Sequence, residues 1–339
     1  MSITMKDVAN KAGVSKATVS RIINGIPNAA TEETIEKVNN AIEELGYVPN
    51  FLAASLKKPF SKTVGLIVGD IENPFFGRVI TGIERTLQSK GLSLILANSS
   101  YDYSKEKEII QVFLERKVDA IIIAPCERSK KSLSNINRVI NRGTHIILID
   151  NYLPEINIDY VVVDNFDASY RGTKYLIETG HKKLSMITGP KFRTTSANRT
   201  KGFLTAIEEA DLDIPDIFIQ EGDYSIHSGY ERMHTLFSTD LSPTSVFIAN
   251  NLMTVGALQA SSEIGLNIPK DVSILGFDDM DWYTITKPTL SAIKQPAQNM
   301  GKVAAERVIK YIKNKTKPKP KSFELKTELI VRDSIAPPP

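Results

Sequence analysis

Residues 7–24 read DVANKAGVSKATVSRIIN, two short helical patterns with only Gly13-Val14-Ser15 between them. Val8, Ala9 and Ala12 recur at helical spacing and predict an amphipathic helix over residues 5–12. Gly13 follows, and glycine adopts the left-handed turn that ends a helix at least cost. Ser15 is placed to cap the next helix, its hydroxyl accepting from a free N–H of the first turn. Val19, Ile22 and Ile23 give that helix an apolar face, and the small Ala9 lets the pair cross closely. The pattern fits a helix-turn-helix, and equally an ordinary helical hairpin. Charge separates the two. The outer side of the second helix carries Lys16, Ala17, Thr18, Ser20 and Arg21, and the first turns of the chain hold Lys6, Lys11, Lys16 and Arg21 against the single acid Asp7. Lys and Arg reach base edges, while Ser and Thr hydroxyls bond phosphates. The whole chain is only +3, so the basic surface is local, as expected of one DNA-contacting module.

A chain of 339 residues has room for two or three domains. With 42% hydrophobic and 24% charged residues it has an ordinary globular composition. No basic-then-apolar leader opens it and no apolar run approaches about 18 residues, so a soluble, cytoplasmic protein is expected. The single cysteine, Cys126, excludes an intrachain disulfide. It follows the apolar AIIIAP and reads as a core or strand-end residue rather than a nucleophile.

After the helical pair, Thr31 is placed to cap a third helix with Ile35, Val38, Ile42 and Leu45 as its apolar stripe and Gly46 as its stop. FLAASLKK, residues 51–58, is long enough for two helical turns but too short to be stable alone. From Thr63 the pattern changes. TVGLIVGD, LSLILAN, DAIIIAP, HIILID, YVVVD, LSMIT, SVFIAN and VSILGFD read as buried strands. Between them, residues 75–90, 104–117, 132–142, 166–179, 197–210 and 252–263 read as helices. Such alternation predicts parallel α/β structure. The length favours two similar sheets with a cleft between them. Ligands bind beyond the carboxyl ends of such strands, where Asp70, Asn98, Pro125, Asp150, Asp164, Gly189, Asn250 and Asp278 stand. The tail IAPPP carries no heptad repeat, which favours a dimer over a tetramer.

The ordered set DVANKAGVSKATVSRIIN, GYVPN, Ala53-Ala54-Ser55-Leu56, GLIVGDIENPFF, NRTKGF, GFDD, AIKQP and ELIVRDS resembles the lactose/galactose repressor family of bacterial transcriptional regulators over nearly the whole chain. The resemblance implies an all-α helix-turn-helix headpiece over residues 1–50 and a hinge helix and linker over 51–61. Residues 62–339 would be an effector-binding and dimerisation core of two doubly wound parallel-sheet subdomains, similar to periplasmic binding proteins. The N-subdomain would span 62–161 and 291–320 and the C-subdomain 162–290 and 321–335, with crossings near Val162, Leu290 and Pro320. By position, Lys16, Ala17 and Arg21 match base-reading residues, Ala17 being limited to apolar contact. Ser15, Thr18, Ser20 and Asn24 match phosphate contacts. Leu56 matches a minor-groove wedge and Lys57 a contact beside it, although Leu56 also reads as packing within a short helix. The run NGIPNAAT is one residue longer than the family's usual segment, which leaves Asn28 without a matched role.

In the cleft, Arg199 matches the effector-binding arginine, Asp278 the acid that accepts sugar hydroxyls, Asn250 an amide beside it and Tyr224 a stacking aromatic. Phe75 and Phe76 would supply an apolar wall, with Asp70, Asn73 and Asp150 nearby. Phe76 reads equally as core, and Asp278 also as a strand-end cap. Asn251 stands where many relatives carry Asp. Lys191 and Arg193 add positive charge near the rim, which favours an anionic effector, but both read first as solvated surface charge.

The rival classes are an enzyme and a binding protein. His145, His181, His227 and His234 form no metal spacing, and HExxH, GxSxG, Walker and GxGxxG patterns are absent. FDDMD is acidic enough for a divalent metal but fits hydroxyl recognition equally. Neither class explains the headpiece. The resemblance implies as partners pseudo-palindromic double-stranded operator DNA, a second copy of the chain, and a sugar, sugar acid or sugar phosphate effector. No cofactor, metal or membrane is expected. A closer alternative is a regulator whose corepressor is a phosphorylated carrier protein docking on the first subdomain.

Overall fold

The computed structural model describes residues 3–47, 61–126, 130–239, 241–314 and 319–339. The chain divides into two compact units, residues 1–61 and 62–339. The first holds α1 (Met5–Ala12), α2 (Lys16–Ile23) and α3 (Glu32–Leu45). Local chemistry sets each boundary. Thr4 and Asp7 form a capping box on α1, and Gly13 ends it at φ 67°. The Ser15 hydroxyl accepts from Thr18 N at 3.0 Å, and Thr31 caps α3 in the same way. Val8, Ala9, Val19, Val38, Ala41 and Tyr47 make the small core. The expected hinge over 51–58, with Leu56 and Lys57, lies outside the described residues.

The second unit begins with β1 (Thr63–Val68), α4 (Pro74–Gln88), β2 (Ser93–Asn98), α5 (Tyr103–Glu115), β3 (Ala120–Ile123), α6 (Lys130–Asn141), β4 (His145–Ile149) and β5 (Asp159–Val163). It continues with α7 (Asn165–Glu178), β6 (Leu184–Thr188), α8 (Thr194–Glu209), β7 (Ile219–Glu221), α9 (Ile226–Phe237), β8 (Ser245–Ile248), α10 (Asn251–Glu263) and β9 (Ser273–Phe277). It closes with β10 (Ser291–Lys294), α11 (Ala297–Asn314), β11 (Ser322–Leu325) and β12 (Glu328–Ile330). Helices α9 and α11 join the six anticipated from the sequence.

Among the described residues the strands form two six-stranded sheets, β11-β5-β4-β3-β1-β2 and β12-β10-β9-β8-β6-β7. Every pairing is parallel except β10 with β12. The first sheet packs α4 and α11 into one core and α5 and α6 into another. Helices α7 with α8 and α9 with α10 pack as pairs on the second. The α4–α11 seam is closed by glycine: a Cβ on Gly82 would stand 2.0 Å from the Gln298 carbonyl oxygen, and one on Gly301 would stand 2.1 Å from that of Val79.

The chain crosses between sheets three times, the first time close to the expected place and the second and third times several residues later. Residues 291–294 pair with β9 in the second sheet, and residues 322–325 pair with β5 in the first. The crossings therefore fall at 164, beside the expected 162, and at 295–296 and 326–327 rather than near 290 and 320. Apolar alternation marks a strand but carries no information about which sheet receives it. The first and third crossings are tied together: Asp164 accepts from Thr327 N at 2.9 Å, and Arg171 bonds the Thr327 hydroxyl at 2.8 Å.

Candidate DNA-reading helix and inter-sheet cleft

Helix α2 presents Lys16, Ala17 and Arg21 to solvent, with Val19 turned fully inward. Ser15 and Thr18 bond each other at the helix start, their hydroxyls 2.9 Å apart. Asn24 donates to the Ser20 carbonyl at 2.6 Å and ends the helix. Three of the expected phosphate-contacting side chains, Ser15, Thr18 and Asn24, thus also shape the helix. Asn28, in the longer loop, adopts φ 57°.

The second candidate site lies where the carboxyl ends of the two sheets face each other. Asp70, Asn73, Phe75, Phe76, Asp150, Arg199, Tyr224, Asn250 and Asp278 all line one cleft there, with a cavity volume of about 40 Å³. Strand-end geometry brings them together. Asp150, Tyr224 and Asp278 each take positive φ, at 68°, 74° and 75°, a conformation uncommon for residues with side chains. Arg199 is buried. Its Nε donates to Asn165 Oδ1 at 2.8 Å, its Nη1 to the Ala249 carbonyl at 2.6 Å, and it lies 3.5 Å from the Phe277 ring centre.

Asp278 accepts from Gln295 Nε2 at 2.5 Å and from Asn251 N at 3.3 Å. Burial pushes its carboxyl above the usual carboxylate range, and the Arg199 charge opposes that rise. Asp150 is pushed up to about 6, first by burial, with Arg199 and Arg193 pulling the other way. Asn250 serves as the N-cap of α10, accepting from Met253 N at 2.9 Å and donating to the Tyr224 carbonyl at 3.1 Å. The Tyr224 hydroxyl lies 2.5 Å from that of Ser196. Asp70 accepts from Glu72 N at 2.9 Å.

Hydrogen bonds also span the cleft. Asn73 Oδ1 caps α4 by accepting from Phe75 N and accepts from Asn251 Nδ2, both at 3.0 Å. On the other side Asn151 Oδ1 accepts from Thr195 Oγ1 at 3.1 Å and from Thr195 N at 3.3 Å.

Five further residues line the cleft: Tyr101, Arg193, Thr195, Leu252 and Gln295. Gln295 sits in the AIKQP motif, a signal already visible in the sequence. Arg193 corrects the expectation of solvated charge, being 5% exposed. Lys191 does lie at the surface, near Glu221. Asp164 does not reach the cleft, because it is spent on the Arg171–Thr327 tie. The acidic run FDDMD is likewise engaged, Asp279 with Arg332 at 2.7 Å and Asp281 with Arg78 at 2.8 Å. Among the described residues no cluster of His, Cys, Asp and Glu is arranged to hold a metal ion. Cys126 is buried, and burial raises its thiol further from ionisation.

Two family models match: bacterial regulatory proteins of the lacI family over residues 4–50, and a periplasmic binding protein-like domain over residues 173–335. The HTH-type transcriptional repressor PurR of Escherichia coli O1:K1 / APEC is 35% identical over 336 residues, covering 98% of this chain and 97% of that one. The chain belongs to the LacI family of DNA-binding transcriptional repressors. Among solved structures, the repressor resembles the transcriptional regulator CelR in its cellobiose complex, at 28% identity and a TM-score of 0.74 over 98% of this chain and 99% of that one. It shares its fold with the Lac repressor dimer bound to operator and the anti-inducer ONPF, at 23% identity and a TM-score of 0.86 over 99% and 100% of the two chains. None of the repressor's described helices is long and apolar enough to cross a membrane.

Proposed function

We propose that the repressor controls carbohydrate-catabolism genes from the cytoplasm, as a homodimer on a pseudo-palindromic operator, under a sugar or sugar-derivative effector held between its two sheets. The observation that carries this reading is the cleft. The half-buried carboxylate of Asp150 and the buried one of Asp278 accept from hydroxyls, the Arg199 fork donates to them, and Phe75, Phe76 and Tyr224 supply apolar faces. The relative solved with cellobiose supports the sugar class. Lys16 and Arg21 read base edges, Ser15, Thr18, Ser20 and Asn24 hold phosphates, and Leu56 and Lys57 engage the minor groove from the hinge over 51–61. The headpiece is residues 1–50. Effector binding favours one arrangement of the core, and the differential affinity, typically about 1–3 kcal/mol, is felt at the operator through that hinge.

The test is a thermal-shift screen of sugars, sugar acids, sugar phosphates and nucleobases, with every hit repeated in an operator titration at fixed salt. A sugar-class hit that changes operator affinity supports the reading and gives its sign. A nucleobase as sole effector would overturn the sugar class. Arg199→Ala is expected to keep operator affinity near normal and to lose the effector response. An unchanged response would remove Arg199 from the site.

A further inference from the structure

Arg193 stands in the loop before α8, on the second-sheet side of the cleft. Its guanidinium lies 3.8 Å from the ring centre of Tyr101, which follows β2 on the first-sheet side, and 5.5 Å from that of Tyr224. The two lobes thus meet across the cleft through a cation stacked on an aromatic ring. Stacking satisfies the face of a guanidinium but not its in-plane donors. The Arg193 Nε is buried without a hydrogen-bond partner. Among the described residues no carboxylate forms an ion pair with it. Other arginines packed between elements are treated differently. Arg307 holds Asp159 with two bonds, at 2.7 and 3.0 Å, and Arg332 holds Asp279 at 2.7 and 3.1 Å.

Arg199 does not compete for the same role. Its Nε and one terminal nitrogen are committed to Asn165 and the Ala249 carbonyl, and Asp150 and Asp278 face its charge. Arg193 is therefore the cleft guanidinium with a buried nitrogen, Nε, that still lacks an acceptor. A buried donor left without a partner is costly, and an acceptor-rich anion in the cleft relieves that cost with charge-assisted bonds, in addition to the Asp150 charge that already faces Arg193.

We propose that the effector carries an acidic group, a carboxylate or phosphate on a sugar frame, and that Arg193, stacked on Tyr101, holds it. This rests on the cleft being the effector site. Arg199, Asp278 and Asp150 then address the hydroxyls, while Arg193 selects the charge. Thr195, fixed beside it by Asn151, lines the same wall.

The test is calorimetric titration of the full chain with matched probes: glucose, gluconate, glucuronate and glucose 6-phosphate, and the galactose counterparts. An acid is expected to bind about tenfold or more tightly than its parent sugar. Arg193→Gln should erase that preference while changing affinity for the neutral parent little, and Arg193→Lys should retain part of it. Gluconate or glucuronate against the 6-phosphate identifies which acid is read. Circular dichroism and melting temperature establish that each variant is folded, and Tyr101→Leu, which removes the stacking face but no charge, should weaken acid binding in the same direction. A neutral sugar that binds best and shifts operator affinity, or an Arg193→Gln loss equal for acid and neutral probes, overturns this proposal and leaves the sugar-effector reading standing. No binding by any probe, with operator binding intact, sinks both.

Discussion

Asp150 carries a carboxylate into surroundings that favour the neutral acid. Its ordinary value is 3.8 and the fold raises it to about 6, chiefly by burial. Between those values the folded chain binds more protons than the unfolded one, so stability falls as pH rises through the window. The penalty is absent below the unfolded value and complete above the folded one. Asp150→Asn should therefore stabilise the core by about 1–3 kcal/mol in urea unfolding at neutral pH, with the gain shrinking toward zero near pH 4. A gain that stays constant with pH would show that charge burial is not its source. Such strained acids are retained at sites that need them. Asp150 and Asp278 were legible as candidates because an acid stood at the end of an apolar strand. Tyr101 was not, and Arg193 was legible only as charge near the rim that read first as solvated surface. The burial of Arg193 arises only when two sheets separated in sequence close on each other, and nothing in the stretch KFRTT records that event.

At the scale of single elements, the legible features were local ones. The caps at Ser15 and Thr31 and the glycine stops at 13 and 46 follow from chemistry within one turn, and they stand where the sequence put them. Sheet membership is not local, and residues 291–294 and 322–325 showed as much. Helix α2 has Val19 anchored in the small core, so its outer face is free to vary without unfolding it. Arg21→Ala is expected to cost roughly 1–3 kcal/mol on operator and to relax base preference at one position. Equal loss on operator and random DNA in binding titrations would reassign Arg21 to phosphate. The α4–α11 seam is the converse case, with no room for even a methyl group. Gly82→Ala should lower core stability by about 1–3 kcal/mol, since the obstruction is a backbone carbonyl that no rotamer change can clear. Unchanged chemical denaturation would mean that the seam opens freely.

At the scale of the core, two of the bridges between the lobes are Asn73 with Asn251 and Asn151 with Thr195. The first depends on an amide donor. Asn251→Asp would set a carboxylate oxygen against the Asn73 oxygen and add charge beside Asp278, whose Oδ2 lies 3.3 Å from the residue 251 nitrogen. The effector-free core should then shift toward a more open form, seen as a larger radius of gyration in small-angle scattering and reversed by effector. An unchanged scattering profile would assign closure to the remaining contacts.

The last crossing has a consequence for how the repressor is made. Strands β11 and β12 are the outermost members of the two sheets, and they are contiguous near the C-terminus, two residues apart. A ribosome delivers them after the other strands of both sheets, so until then β5 and β10 both present bare edges that invite mispairing with another nascent chain. A nonsense codon near position 320 would leave both lobes unfinished at once. Late truncation alleles are expected to behave genetically as complete losses rather than as repressors locked against their effector, and to need chaperones or proteases to clear them.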